Sequence, residues 1–105
     1  MALSRLETAA LDAFILRLRS RFGVRLEKVV LFGSRARGEG DEDSDLDVLA
    51  LVAGLTRVER GLVLDDAADI ERAMGLEISP LVRDPALWEP SLPLGRAIAE
   101  EGVLL

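Results

Sequence analysis

The side chains in this sequence that are best suited to chemistry are two aspartates separated by one residue, Asp45 and Asp47. They lie at the start of an apolar run that continues to Val52 and has the length of a buried strand. Residues two apart in a strand point to the same side of a sheet, so both carboxylates should lie together. A carboxylate at the start of a buried strand is costly unless it is paired or bound to a metal. The sequence therefore predicts that Asp45 and Asp47 bind a metal ion.

An earlier apolar run, residues 29–32, ends at a turn that begins with Gly33 and Ser34 and also contains Arg35 and Arg37. Glycine lets a backbone turn tightly and approach a ligand closely. The turn is predicted to open a short helix, and the amides at the start of a helix form an anion site. Paired carboxylates beside such a turn and its arginines are the groups that the chemistry of a Mg²⁺–nucleotide complex needs.

The composition narrows the kind of metal and the kind of partner. The sequence has no cysteine and no histidine, so a bound metal has to be a hard, oxygen-liganded cation such as Mg²⁺. The net charge of −6 argues against broad nucleic-acid binding, which depends on basic surface. No apolar run reaches membrane-spanning length. Residues 1–7 lack the basic segment followed by an apolar segment that is typical of a signal peptide. We therefore expect a cytoplasmic protein that does not contact membranes.

Two familiar motifs are each excluded by the residues at two positions. The glycine spacing after residue 32 fits a Walker A loop, but Glu39-Gly40 stands where lysine and serine or threonine are required. An EF-hand loop counted from Asp41 would need glycine at Leu46 and glutamate at Val52. The acidic residues Asp41 to Asp43 are therefore predicted to form a solvated loop.

The spacing of apolar residues predicts the elements that position these groups. Helices are predicted over residues 4–22, 56–74 and 93–101, and strands over residues 27–32, 46–52, 76–82 and 103–105. Each long helix begins with a capping box, Ser4 with Glu7 and Thr56 with Glu59. Pro80 indicates that the third strand is an edge strand or ends early.

Several polar or aromatic residues are expected to have no role in chemistry. Asp84 is predicted to cap a further helix that begins at Pro85, and Trp88 to cover the core rather than stack on a base. The remaining charged side chains near the two long helices are predicted to lie on solvated faces: Arg17, Arg19, Arg21, Arg25, Asp65, Asp66 and Asp69.

The motifs together resemble a known signature. Gly33-Ser34, ten intervening residues and then Asp45-Leu46-Asp47 are similar to the signature of the polymerase-β-like nucleotidyltransferase superfamily. The fuller string Gly-Ser-Arg-Ala-Arg-Gly, followed by Ser-Asp-Leu-Asp, resembles its minimal nucleotidyltransferase (MNT) branch. The length and the order of elements also suit that branch. The resemblance implies one nucleotidyltransferase domain over residues 1–105, with an α+β, two-layer fold in which helices pack on a small mixed β-sheet.

The resemblance also implies a metal site in which three carboxylates hold two Mg²⁺ ions. Asp45 and Asp47 supply two of these carboxylates. The family commonly has an aspartate as the third, on the next catalytic strand, and this chain offers Glu77 there. Asp45, Asp47 and Glu77 are therefore the predicted catalytic and metal-binding residues.

The predicted nucleotide-binding residues are those of the turn: Gly33, Ser34, Arg35 and Arg37. Gly33 would allow the backbone to come close to the nucleotide. Ser34 and the amide of Arg35 would bind phosphate oxygens, and the side chain of Arg35 or Arg37 would offset charge on the leaving pyrophosphate.

By the same resemblance the chain is expected to be an enzyme that transfers a nucleoside monophosphate, AMP from ATP, to a hydroxyl of a protein acceptor. Minimal nucleotidyltransferases of this kind often act as antitoxins that modify a HEPN-domain ribonuclease toxin, so a HEPN protein or a second copy of the chain is an expected partner. Two alternatives stay open. The chain could neutralise its toxin by contact alone, or modify a small molecule such as an antibiotic. The sequence determines neither the base preference nor the acceptor.

Overall fold

A computed structural model describes residues 3–40 and 45–105. The solvated loop predicted for Asp41 to Asp43 lies outside these residues. In chain order the elements are α1 (Arg5–Phe22), β1 (Leu26–Phe32), α2 (Gly33–Ala36), β2 (Leu46–Val52), α3 (Arg57–Met74), β3 (Ile78–Arg83), α4 (Pro93–Glu101) and β4 (Val103–Leu104), with a short 3₁₀ turn at Gly23–Arg25.

Both predicted capping boxes are present. The Ser4 hydroxyl accepts a hydrogen bond from the Glu7 amide at 3.0 Å, and the Ser4 amide donates to the Glu7 carboxylate at 2.8 Å. Thr56 and Glu59 make the same pair of bonds at 3.1 and 3.0 Å. Each box satisfies two amides that the first turn of a helix leaves without an intrahelical partner. The two long helices therefore begin where the sequence predicts.

The strands form one mixed sheet in the order β3-β2-β1-β4. Strand β1 is antiparallel to both β2 and β4, whereas β2 and β3 are parallel. Strand β3, which contains Pro80, lies at an edge of the sheet, as predicted. The α+β fold with helices on a small mixed sheet is thus confirmed. In the described ranges, no helix is long and apolar enough to cross a membrane.

The two faces of the sheet differ in how they are covered. Helices α1 and α3 pack on one face and bury the main core, which includes Phe14, Leu31, Val48 and Val63. The other face carries a smaller apolar cluster: Val30, Leu49, Leu51 and Ile98, with Phe32, Leu81 and Trp88 packed against it. Trp88 thus packs on an apolar cluster, in line with its predicted covering role. The predicted metal ligands belong to this second, less covered face.

The prediction that the charged side chains around α1 and α3 are solvated was wrong for Asp66. Only 5% of Asp66 is exposed, because the packing of α3 against α1 places it against basic residues of α1. Its carboxylate accepts hydrogen bonds from Arg21 at 2.9 Å and from Arg17 at 3.2 Å. A buried carboxylate needs such partners. Arg25 is partly exposed and pairs with Glu59.

Two other local predictions also need correction. Strand β3 begins at Ile78, so Glu77 directly precedes the strand instead of lying within it. Residues 85–87 form a turn, not the start of a helix. The Asp84 carboxylate accepts hydrogen bonds from the amides of Ala86 at 3.0 Å and Gly54 at 3.1 Å. Asp84 therefore stabilises a turn and links it to the loop after β2.

Candidate active site

Strand β2 determines where the two aspartates lie. Leu46, between them, is fully buried in the main core, whereas Asp45 is exposed and Asp47 is partly buried. Because side chains alternate along a strand, both aspartates lie on the face opposite that core. In the sheet, Asp47 is flanked by Phe32 of β1 and Ser79 of β3. The predicted juxtaposition of the two carboxylates is therefore what the strand geometry gives.

Gly33 brings the turn after β1 directly against Asp47. Its φ angle is +75°, a left-handed conformation that favours glycine. A Cβ atom at this position would lie 2.3 Å from Oδ2 and 3.2 Å from Cγ of Asp47. The turn therefore lies in contact with the Asp47 carboxylate, and the close approach of Gly33 to a nucleotide stays a prediction. Any other residue would have to displace that carboxylate.

The turn itself forms the predicted short helix, α2, followed by a tight return of the chain. The Arg37 amide donates to the Gly33 carbonyl at 3.3 Å, and the Glu39 amide donates to the Ser34 carbonyl at 2.9 Å. Ser34 is partly buried. The turn therefore holds Ser34 and the amides around it next to Asp47, where they could contact a phosphate group.

The structure corrects the role predicted for the side chain of Arg35. This side chain is buried and makes a two-point ion pair with Glu7, with Nε 2.8 Å from Oε2 and Nη2 2.7 Å from Oε1. Its Nη1 donates to the carbonyl oxygen of Glu39 at 3.1 Å. A guanidinium held in this way attaches the turn to the start of α1. The backbone amide of Arg35 and the side chain of Arg37 remain the candidates for contact with phosphate.

Arg37 lies on the surface beside the turn. It donates to Glu101 at 3.1 Å and to Glu39 at 3.3 Å, and these carboxylates raise the pKa of its guanidinium. Exposed ion pairs of this kind contribute little to stability and exchange readily. The side chain could therefore leave Glu101 to meet an anionic ligand at a small cost.

Strand β3 brings two further polar residues to the aspartates. The Leu46 amide donates to the Glu77 carbonyl at 3.0 Å, which places Glu77 beside Asp45. The hydroxyl of Ser79 donates to Oδ2 of Asp45 at 3.3 Å. Ser79 was not among the residues predicted for the site. Its position two residues after Glu77, where extended backbone would point both side chains to the same side, is the signal that could have found it.

The carboxyl groups of the site repel one another. Burial and the charge of Asp45 raise the pKa of Asp47. A hydrogen bond to Asp45, followed by the charges of Asp45 and Glu71, raises the pKa of Glu77. Both shifts show that an additional negative charge is unfavourable here in the absence of a cation. A divalent cation bound between these oxygens would remove that penalty.

Oxygen donors of this kind suit Mg²⁺. Within residues 3–40 and 45–105, however, no group of three or more aspartates, glutamates or other metal-ligating residues is close enough to hold a metal ion. Asp45 and Asp47 lie on one face of the sheet, and their role as metal ligands stays a prediction. Glu77 as a third ligand stays a prediction.

The sequence of this chain is similar to those of known nucleotidyltransferases. Residues 11–101 match the nucleotidyltransferase domain family. MJ0604 of Methanocaldococcus jannaschii, provisionally named a protein adenylyltransferase, is 32% identical over 101 residues that cover 94% of this chain and 97% of that protein.

Solved structures share the fold. One provisionally identified as a minimal nucleotidyltransferase matches over the full length of both chains, with 29% identity and a TM-score of 0.59. A chain from the complex of tri-AMPylated Shewanella oneidensis HEPN toxin with MNT antitoxin matches with 18% identity and a TM-score of 0.55, over 94% of this chain and 70% of that one. At that identity the second likeness concerns the fold alone.

Proposed function

Because this chain belongs to the nucleotidyltransferase domain family and is a nucleotidyltransferase, we propose that it transfers AMP from ATP to a hydroxyl of a protein acceptor and releases pyrophosphate. The observation that carries the proposal is the contact between the Gly33 turn and Asp47. It puts a candidate phosphate-binding turn and a candidate metal ligand within one small site. A metal-bound triphosphate needs both.

Asp45 and Asp47 are proposed to hold the metal, with Glu77 beside Asp45 as the third carboxylate. When bound, two Mg²⁺ ions would offset the triphosphate charge and lower the pKa of the acceptor hydroxyl. Glu77 would position that hydroxyl or accept its proton. Ser79 would orient Asp45 through its hydrogen bond.

The residues of the turn are proposed to hold the nucleotide. Gly33, Ser34 and the amide of Arg35 would contact phosphate oxygens at the edge of the site nearest Asp47. Arg37 would leave its surface ion pairs and offset the charge that develops on the leaving pyrophosphate. Arg37 takes this role in place of Arg35, because the side chain of Arg35 forms a buried ion pair with Glu7.

A protein acceptor is supported by what similar proteins are named for. MJ0604 carries the name of a protein adenylyltransferase, and the Shewanella complex contains an AMPylated HEPN toxin bound to an MNT antitoxin. We propose a HEPN-domain protein as the partner and acceptor, and antitoxin action as the role. The cytoplasm, where ATP is available, is the proposed location.

Intact-mass measurement of the partner tests this proposal. A HEPN-domain protein from the same organism would be incubated with this chain, ATP and Mg²⁺, and we expect mass increments of one AMP each. Asp45→Asn combined with Asp47→Asn should abolish the increments without unfolding the chain, because the substitutions relieve repulsion. A stable complex with an unmodified partner would support neutralisation by contact instead.

A further inference from the structure

The Glu7–Arg35 ion pair lies beneath the candidate nucleotide-binding turn and is almost completely buried. Only 2% of Glu7 and 6% of Arg35 is exposed. The two side chains make two parallel hydrogen bonds of 2.8 and 2.7 Å, the geometry in which a guanidinium and a carboxylate interact most strongly. The bond to Arg35 lowers the pKa of Glu7, so the pair is ionised at neutral pH.

This pair connects segments that are far apart in the sequence. Glu7 belongs to the first turn of α1, where its carboxylate also accepts the Ser4 amide of the capping box. Arg35 belongs to α2, and its Nη1 donates to the carbonyl oxygens of Glu39 at 3.1 Å and Gly40 at 3.4 Å. The guanidinium thus joins the start of α1, the turn at Gly33 and the segment that leads towards Asp45.

We infer that Glu7 and Arg35 form a positioning pair, which sets the placement of the Gly33 turn against Asp47. Neither side chain has to touch the nucleotide for this. The turn contacts the carboxylate so closely that a shift of the turn changes the space available at the site. The inference rests on the proposed function only where it assigns that turn to the triphosphate.

A buried ion pair is weak evidence for stability, because two charges lose their hydration on folding. Apolar side chains of similar volume would often be as stable or more so. The charged pair instead fixes the orientation of the groups that it joins. The rigid fork of Arg35 fixes the orientation of two partners at once, the Glu7 carboxylate and the carbonyls of residues 39–40, which an apolar contact could not do.

The chain contains a matched control for this device. Glu59 occupies the same third position of a capping box, at the start of α3, and makes a two-point pair with Arg25 at 2.7 and 2.8 Å. Arg25 also donates to the carbonyl oxygens of Ala53 and Gly54. Arg25 directly precedes β1 and Arg35 follows it, so the control pair lies at the other end of that strand from the site.

Glu7→Gln is the first variant for the test. Glutamine still provides a side-chain oxygen that can accept the hydrogen bond of the capping box, so the change removes the charge of Glu7 while the cap can persist. It leaves the Arg35 guanidinium buried without its carboxylate, which destabilises the fold. Glu7→Gln combined with Arg35→Met is the second variant, because it removes both charges and keeps the volume. Glu59→Gln, alone and combined with Arg25→Met, gives the controls.

Two measurements on folded protein separate positioning from stability. Hydrogen exchange of the amides in residues 33–40 is read without nucleotide, and the Kd for Mg²⁺–ATP is measured together with kcat and KM for transfer. In both Glu7 variants we expect faster exchange in this segment and a Kd and KM raised about 10-fold, with a smaller change in kcat, since a tenfold change corresponds to one lost moderate interaction. Both control variants should stay within about 2-fold of the wild type even where they lower Tm, because their pair lies away from the turn.

The outcomes test the proposed function and the positioning role of the Glu7–Arg35 pair separately. If the wild type binds no Mg²⁺–ATP, the proposed function fails, and the exchange data alone still decide whether the pair positions the turn. If the wild type binds and the Glu7 variants match the controls in exchange, Kd and KM, the pair is only structural and the inference is overturned. Slower turnover with unchanged Kd, KM and exchange would also overturn it.

Discussion

Gly33→Ala isolates the contact between the turn and the carboxylate of Asp47, a proposed metal ligand. The new methyl group would lie 2.3 Å from Oδ2 of Asp47, whereas ordinary contacts of a Cβ atom begin at 3.4 Å. The backbone at this position also has a φ angle of +75°, which alanine tolerates poorly. The substitution therefore destabilises the fold in two ways. It strains the backbone at residue 33, and it forces the Asp47 carboxylate to move.

The sizes of the two effects can be worked out separately. A left-handed backbone at a residue other than glycine costs about 1–3 kcal/mol, which in a domain of this size lowers Tm by about 4–8 °C per kcal/mol. To restore an ordinary contact, the carboxylate of Asp47 has to move by about 1 Å, a misplacement that can reduce catalysis about 10²-fold. We therefore expect a folded variant with a lowered Tm and about 10²-fold weaker metal-dependent nucleotide binding or transfer.

Gly54→Ala is the matched control. Gly54 follows the other end of β2 and has a φ angle of +67°, but an added Cβ atom there has its nearest neighbour at 4.0 Å. Its backbone cost should be similar, with no effect on the carboxylate. Calorimetry would give Tm for both variants, and titration with Mn²⁺ and ATP would give binding.

The comparison has a clear refuting result. If Gly33→Ala and Gly54→Ala lose similar stability and both bind nucleotide like the wild type, the contact with Asp47 has no functional consequence. A second check uses the Asp47→Ala background, in which the steric cost should disappear. The stability cost of Gly33→Ala should then fall to the backbone cost seen at Gly54.

Three further predictions follow from charges near the site and at the start of α3. Asp45→Asn should lower the pKa of Asp47, because the charge of Asp45 helps to raise it; carboxyl NMR titration would show no change if the two groups do not interact. Glu59 has a pKa of about 2 beside Arg25, below its ordinary 4.5. Its stabilising effect is therefore present above pH 4.5 and lost as the pH falls towards 2, so the stability difference between wild type and Glu59→Gln should shrink over that range and a constant difference would contradict it. Glu77→Gln should retain nucleotide and slow transfer by about 10²-fold, and near-normal transfer would leave a two-carboxylate site.

Controls for these variants are available in the chain. Glu71→Gln removes a charge that also raises the pKa of Glu77 but carries no proposed role in the reaction. It should leave transfer near the wild-type rate, so a loss equal to that of Glu77→Gln would indicate a general charge effect. Arg72 pairs with Asp69 on the exposed side of α3, and Arg72→Ala gives a control for loss of a surface charge.

Much of the fold could be predicted from local patterns in the sequence. The capping boxes at Ser4 and Thr56 fixed the starts of the long helices because their hydrogen bonds span only three residues. Alternation placed Asp45 and Asp47 on one face, and Pro80 indicated the edge strand, because both depend on the geometry of a single strand. These features need no knowledge of what lies across the sheet.

Tertiary contacts were what the sequence could not supply. Arg35 and Glu7 are 28 residues apart, and nothing local distinguishes an arginine that enters the core from one that reaches a ligand. Asp66 has acidic neighbours on an amphipathic helix and became buried only because α1 supplies Arg17 and Arg21. Ser79 lies beside Asp47 because of the register in which β3 pairs with β2. Each depends on pairing between elements, which sequence spacing alone does not fix.

The central claim is that Asp45 and Asp47 bind the metal of a metal–nucleotide complex. The most direct measurement is calorimetric titration of ATP in the presence of Mg²⁺ or Mn²⁺ into the wild type and into the variant that carries Asp45→Asn and Asp47→Asn. We expect binding by the wild type that chelation of the metal abolishes, and no metal-dependent binding by a variant whose circular dichroism shows it to be folded. Equal affinity of the two proteins for the metal–nucleotide complex would contradict it.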